Sequence, residues 1–184
     1  MTTDIQQGFT LIELLVVITI GAILVAIAAP SFVDMNKNSR INGAVREFQS
    51  IVQLARTEAI TRNAIVNIYN AKAAGDWSGD IYLCQAATAT TICTLNDANF
   101  IKRFAIGDLS ADGVDNGDIT INSSTEGNSF ISFNSNGRLN GSTPIAVGFC
   151  DNRPEGANRN FQLLSIAVTG RPTTTDIEVA ACDP

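Results

Sequence analysis

Hydrophobic positions along this chain follow three successive rules. From Phe9 to Ala29 the run FTLIELLVVITIGAILVAIAA is apolar except for Thr10, Glu13, Thr19 and Gly21. As a helix, a run of that length covers roughly 30 Å, the hydrocarbon thickness of a bilayer. From Ile41 the spacing changes. Ile41, Ala44, Val45, Phe48, Ile51, Val52, Ala55 and Ala59 recur three and four apart, with Arg46, Glu47, Gln49, Ser50, Gln53 and Arg56 between them. That predicts a helix with one buried face. Joined, the two stretches predict one helix from about Phe9 to Thr61, roughly 80 Å long. Gly21 and Pro30 weaken its first half, and a shorter reading ends the helix at Pro30. Met35 to Gly43 (MNKNSRING) is polar and poor in helix formers, a place for a bend and for the exit from membrane to water.

Beyond Arg62 the period drops to two. Strands are predicted at Ala64–Tyr69, Asp80–Cys84, Phe100–Ile106, Ile119–Asn122, Phe130–Phe133, Ile145–Cys150, Phe161–Val168 and Ile177–Ala180. Clusters of Gly, Asn, Asp, Ser and Pro separate them. Asn70 to Gly79 reads as a loop. One long helix followed by many short strands is the α+β layout, with the sheet covering the helix's apolar face.

Glu13 is the awkward residue of the first stretch. A charge at the bilayer centre costs about 3 kcal/mol on the lenient insertion scale, less near the interface. A secretory signal peptide, with Ala26-Ile27-Ala28 as a cleavage site, would want a cationic start and no acid in its core, whereas residues 1–8 hold no Lys or Arg. A plain anchor leaves Glu13 unexplained. A buried helix apolar all round would need a large surrounding core.

Gly8-Phe9-Thr10-Leu11-Ile12-Glu13, followed by the apolar run and Pro30, resembles the N-terminus of type IV pilins and type II secretion pseudopilins. The resemblance implies a type IV pilin-like fold, with a long N-terminal helix packed on a C-terminal antiparallel β-rich head. It also implies that a prepilin peptidase cuts after Gly8 and methylates Phe9, so residues 1–8 are a leader. Leaders of the family carry Lys or Arg; this one has only Asp4. Residues 9–35 would then be the membrane and filament-core half of the helix. Residues 36–184 would be a periplasmic head that includes the amphipathic half. In a bundle of such helices an unpaired Glu13 is costly, and the Phe9 ammonium of a neighbour would neutralise it. Wrong registers would leave two unpaired charges, so the pair would set register more than add adhesion.

Composition narrows the classes. The formal charge is −6, a poor default for binding nucleic acid, which wants clustered Lys and Arg. There is no His, so Ser-His and Cys-His nucleophiles are excluded. The glycines form no phosphate loop. No enzyme activity and no cofactor are expected. Four Cys in a chain with an export signal suggest two disulfides in an oxidising compartment. Three pairings are possible. Cys84–Cys93 and Cys150–Cys182 are favoured, because the first is local and the second ties down a C-terminus that would otherwise fray.

Three more stretches narrow the resemblance to the GspH/FimT/FimU branch, and within it to FimU-like members. They are Leu54-Ala55-Arg56-Thr57-Glu58-Ala59-Ile60-Thr61-Arg62, Phe133-Asn134-Ser135-Asn136-Gly137-Arg138-Leu139, and Ile166-Ala167-Val168-Thr169-Gly170-Arg171. The strand ending in Cys150-Asp151 matches as well. The branch consists of minor subunits. The resemblance therefore implies a minor pilin of a type IV pilus that acts in a priming or tip complex, and twitching motility as its output. Its partners would be other minor pilins, the major pilin, the prepilin peptidase, the inner-membrane assembly platform, and membrane lipid before assembly. The alternatives are a GspH-like pseudopilin of type II secretion and a FimT-like DNA-binding subunit. DNA-binding relatives carry Gly-Arg-x-Arg; here Gly170 and Arg171 match but Thr173 stands at the second Arg. Arg171 is a weak DNA contact at most, Arg138, Arg153 and Arg159 are not placed near it by sequence, and Gly170-Arg171-Pro172 also reads as a turn between the last two strands. Asp108, Asp112, Asp115 and Asp118, with Gly113 and Gly117, suit either calcium or a solvated hairpin loop, and their spacing is not the EF-hand pattern.

Overall fold

The described chain consists of one helix and eight strands. They are α1 (Leu11–Arg62), β1 (Ile65–Asn70), β2 (Asp80–Ala86), β3 (Phe100–Ala105), β4 (Ile119–Ser123), β5 (Phe130–Phe133), β6 (Ile145–Asp151), β7 (Phe161–Ile166) and β8 (Pro172–Ile177). The computed structural model describes residues 9–70, 76–77, 79–89, 98–106, 119–123, 130–151 and 161–177, with all their side chains except those at 28–31, 33, 176 and 177. By packing the chain divides into two units, Met1–Lys37 and Asn38–Pro184.

The helix continues past position 30, so Pro30 does not end it, and its hydrogen-bonded span runs on through residues 35–43. It stops where its sequence says it should. Asn63 adopts the left-handed conformation (φ 49°). Its N–H donates to Ile60 O (3.2 Å), and the Ala64 N–H donates to Ala59 O (3.1 Å). These are the two bonds of a Schellman cap, with Asn in the place glycine usually takes. The cap turns the chain directly into β1.

In the second unit the amphipathic half of α1 is the spine of the core. All eight positions predicted for its apolar face, Ile41 through Ala59, are at most 2% exposed. Phe48 joins the layers. Its ring meets those of Trp77 and Phe149 edge to face, each at 5.7 Å between centroids and 78° between planes. Trp77 is 1% exposed, although the sequence placed it in a loop. At this point the Trp77 main-chain N–H donates to Ile121 O at 2.7 Å and Asp76 bridges Asn122.

Two sheets pack here rather than the single sheet expected. Their orders are β3-β2-β1-β5 and β4-β6-β7-β8, and every pairing is antiparallel. The split arises because β4 pairs with β6, while β5 returns to the far side of β1. Strand ends also need correction. The sequence placed the last two strands at Phe161–Val168 and Ile177–Ala180. Instead β7 ends at Ile166, and β8 pairs with it from Ile166↔Pro172 to Phe161↔Ile177. The Ala167 N–H donates to Arg171 O (3.0 Å), which closes the turn tightly enough for the strand to begin at Pro172. There Pro172 heads an edge strand, a position that tolerates a missing N–H. Residues 178–180 lie outside the described residues.

Candidate functional site

Two places in the chain carry chemistry, one in each unit. In the first unit, apolar side chains stand outward all round the helix. Phe9 is 84% exposed and Leu11 82%, and Ile12, Leu14, Val17, Ile18, Leu24, Val25 and Ile27 are all exposed. The polar groups among them are mostly satisfied from within. The Thr19 hydroxyl donates to Leu15 O at 2.7 Å. Thr10 caps the helix, its Oγ1 accepting the Glu13 N–H at 3.3 Å, while the Leu14 N–H donates to Thr10 O. Thr10-Leu11-Ile12-Glu13 therefore has the spacing of a capping box, S/T-x-x-E. That signal was legible in the sequence and the periodicity reading passed over it. Glu13 also lies in the first turn, where the helix dipole favours an acid. Its carboxylate has no hydrogen-bond or ion-pair partner among the described residues. Gly8 lies outside them.

Among the described residues no helix is long and apolar enough to cross a membrane. The apolar run of the sequence continues through residues 28 and 29, whose side chains are outside the described set.

In the second unit, the three stretches that carried the narrower resemblance meet at one corner. Asn134 organises the first turn: its Oδ1 accepts the N–H groups of Asn136 (3.0 Å) and Arg138 (3.1 Å). The Asn134 N–H donates to Arg138 O, and the Gly137 N–H to Asn134 O. The Leu139 N–H then crosses to Val168 O at 3.1 Å, tying this turn to the one that holds Gly170 and Arg171. Gly137 (φ +72°) lies on the end of α1, so close that a Cβ there would stand 2.7 Å from Ile60 Cδ1 and 3.0 Å from Arg56 Cγ. Gly170 (φ +79°) lies on Gly137, where a Cβ would stand 2.2 Å from its carbonyl oxygen. Beside this stack is a hollow of about 370 Å³ lined by Gln53, Arg56, Thr57, Ile60, Arg171 and Pro172. Arg171 is exposed and comes together here with Arg56, a residue the sequence reading had placed only on the polar face of the helix. Arg138 is exposed on the neighbouring turn; Arg153 and Arg159 lie outside the described residues.

Cys84 on β2 and Cys150 on β6 are both disulfide-bonded. Cys93 and Cys182 lie outside the described residues, as does the stretch holding Asp108, Asp112, Asp115 and Asp118. Among the described residues no group of His, Cys, Asp or Glu is placed to hold a metal ion.

Two family models match the chain, one over each of these regions. The family model for the prokaryotic N-terminal methylation motif matches residues 4–29, which include the Gly8–Glu13 stretch. The model for type II transport protein GspH matches residues 44–170, from the buried helix face to Gly170. The chain belongs to the GspH family of type IV pilin-like proteins. Two fimbrial proteins of Pseudomonas aeruginosa are 37% identical over 62 residues. That stretch is 34% of this chain and 40% of theirs, so the chain spans two fifths of the length of these relatives. The type IV narrow pilus major component PilA5 of Thermus thermophilus is 30% identical over 97 residues, which are 51% of this chain and 84% of that protein. Two crystal structures of the Pseudomonas aeruginosa type IV minor pilin FimU share the fold. Their TM-scores are 0.55 and 0.58 at 19% identity, over 76% and 82% of this chain and 99% of theirs. The fold is thus α+β and of the type IV pilin kind. The GspH family is one of structural subunits, so its corner of stacked glycines is read first as architecture.

Proposed function

We propose that this chain is a minor pilin of a type IV pilus, FimU-like, that acts in priming or capping the fibre and has no catalytic activity of its own. The observation that carries the reading is Glu13, an unpartnered carboxylate within a helix whose surrounding apolar side chains are uncovered. Such a surface requires lipid first and other helices afterwards. In this reading the chain waits in the inner membrane as a single-pass protein, with its head in the periplasm. A prepilin peptidase removes residues 1–8 and Phe9 becomes the methylated N-terminus. The assembly platform then lifts the subunit into contact with other minor pilins and the major pilin, where a neighbour's Phe9 ammonium neutralises Glu13. The description of the matching family as a type II transport protein favours a second reading, a pseudopilin of type II secretion.

Mass spectrometry of the native protein should find N-methylated Phe9 as the first residue. A chain starting at Met1, or beyond Pro30, would end the filament interpretation. Deletion of the gene should remove surface pili and twitching. Failed export of folded enzymes with normal pili would select the secretion reading, and lost transformation with normal pili a DNA-binding role.

The pairing Cys84–Cys93 and Cys150–Cys182 belongs to the same proposal. What supports it is that Cys84 and Cys150 sit on different sheets. The chain leaving β2 is also tied back locally, Asn67 Nδ2 donating to both Thr88 O and Ala89 O at 3.1 Å. Closing a loop of about ten residues is worth about 2–3 kcal/mol in the chain-entropy model, and the longer loop more. Non-reducing peptide mapping should return those two linkages, and a Cys84–Cys150 fragment would contradict them.

A further inference from the structure

We propose that the seam between α1 and β8 is a binding site for carboxylates, occupied in the assembled state by an acidic segment of a neighbouring subunit. Two hollows lie along this side of α1, lined from the helix, from β8 and from the turn and strand that precede it. One, of about 370 Å³, is lined by Gln53, Arg56, Thr57, Ile60, Arg171 and Pro172. The other, of about 220 Å³, is lined by Asn42, Val45, Arg46, Gln49, Gln162 and Thr174. Between them they present three guanidinium groups, and no carboxylate is among the described residues that line them. Elsewhere on the second unit Arg62 is paired with Glu58 at 2.6 Å, Arg103 with Asp80 at 2.8 Å, and Lys102 lies over the Phe104 ring at 4.8 Å. At Arg56 the contrast is sharpest. Its Nε is buried without a hydrogen-bond partner, although a guanidinium nitrogen out of water normally has one. The Arg56 stem runs close beside Gly137, where an added Cβ would stand 3.0 Å from its Cγ.

The chemistry of the occupant follows from charge and shape. A fork of N–H donors beside a second arginine suits a planar carboxylate, which takes two parallel hydrogen bonds. Neutral donors and acceptors flank it: the Gln49 amide, which donates to Thr174 Oγ1 (3.2 Å), and Gln162, which donates to Asn42 Oδ1. These suit a peptide more than a uniform polyanion. The chain as a whole carries −6, which opposes a long polyanion such as a nucleic-acid backbone more strongly than a short loop with a few carboxylates. The source of the carboxylate is the one element that rests on the assembly reading; the site itself stands without it.

The test uses the full chain in zwitterionic detergent micelles. The probe is a fluorescein-labelled synthetic peptide with the sequence of residues 108–118, which holds four Asp and no Lys or Arg. Controls are the same peptide with those Asp changed to Asn, and a short duplex DNA. The acidic peptide should bind saturably and the Asn peptide should not. Arg171→Gln and Arg56→Gln should each weaken binding about tenfold, the loss expected for a charge-assisted hydrogen bond. Arg138→Gln, outside both hollows, should leave it unchanged. Arg171 is on an exposed turn, so its variant decides the matter even if Arg56→Gln disturbs folding. Absence of peptide binding, or binding indifferent to Arg171→Gln, overturns the proposal. Tighter binding of DNA through the same two arginines overturns it in favour of phosphate. None of these outcomes depends on processing at Gly8, so failure here and failure of the assembly reading are separable.

Discussion

Glu13→Gln yields a stable, membrane-inserted protein that does not enter a filament. The cap at the helix start survives the substitution, because it rests on Thr10 Oγ1 accepting the main-chain N–H of residue 13 and not on the Glu13 carboxylate. The substitution removes the charge, which lowers the cost of insertion by about 3 kcal/mol at the bilayer centre and by less near the interface. Folding and insertion therefore should not suffer. What is lost is the partner for a neighbour's N-terminal ammonium. An ammonium buried without its counter-charge is destabilised by about 3–5 kcal/mol, enough to reduce incorporation by two orders of magnitude or more. Glu13→Ala should fail in the same way and also weaken the helix start slightly. Immunoblots of membrane and sheared-filament fractions read both effects. Wild-type levels of Glu13→Gln in the filament fraction would remove the role assigned to this residue.

Gly170→Ala should cripple the head. Two costs coincide at this position. The backbone sits at φ +79°, where a Cβ costs about 1–2 kcal/mol. The same Cβ would stand 2.2 Å from the Gly137 carbonyl oxygen, a clash with main chain that no side-chain rotation relieves. Relief would require parting the two turns, which breaks the Leu139 N–H to Val168 O bond that joins them. A loss of about 3 kcal/mol or more is expected, at the upper end for single substitutions. Gly141→Ala is the matched control, because nothing stands within 4 Å of a Cβ built there. Chemical denaturation of the full chain in micelles should show the first variant strongly shifted and the second near wild type. Equal stability of the two would mean that the stacked turns do not hold the corner together.

Much of the fold was legible because burial on a helix is a matter of spacing. The eight apolar positions from Ile41 to Ala59 were read from three-four periodicity and all eight are buried. Strand positions were legible for a similar reason, and Phe130–Phe133 was placed to the residue. Boundaries failed where a turn rather than a side-chain pattern decides. Gly170-Arg171-Pro172 read as a turn and lies in one, but a backbone hydrogen bond from Ala167 to Arg171 closes it so that β8 begins at Pro172 and not at Ile177. Trp77 failed differently. Its flanking residues read as loop, yet a partner strand distant in sequence supplies Ile121 O and draws it into the core.

What the sequence determined by itself is what depends on neighbours along the chain. That covers the greasy first half of the helix, its buried second face, and the Gly8–Glu13 stretch that carries the likeness to the N-terminal methylation motif. Each is set within a few residues by hydrophobic period, capping chemistry or local charge. Only the tertiary structure decided that there are two sheets, that Gly137 and Gly170 lie one upon the other, and that Arg56 and Arg171 share a hollow. Those facts join residues far apart along the chain, Gly137 to Gly170 across 33 positions and Arg56 to Arg171 across 115. Their partners are fixed by which strand edges meet, and no local rule of spacing or propensity encodes that choice.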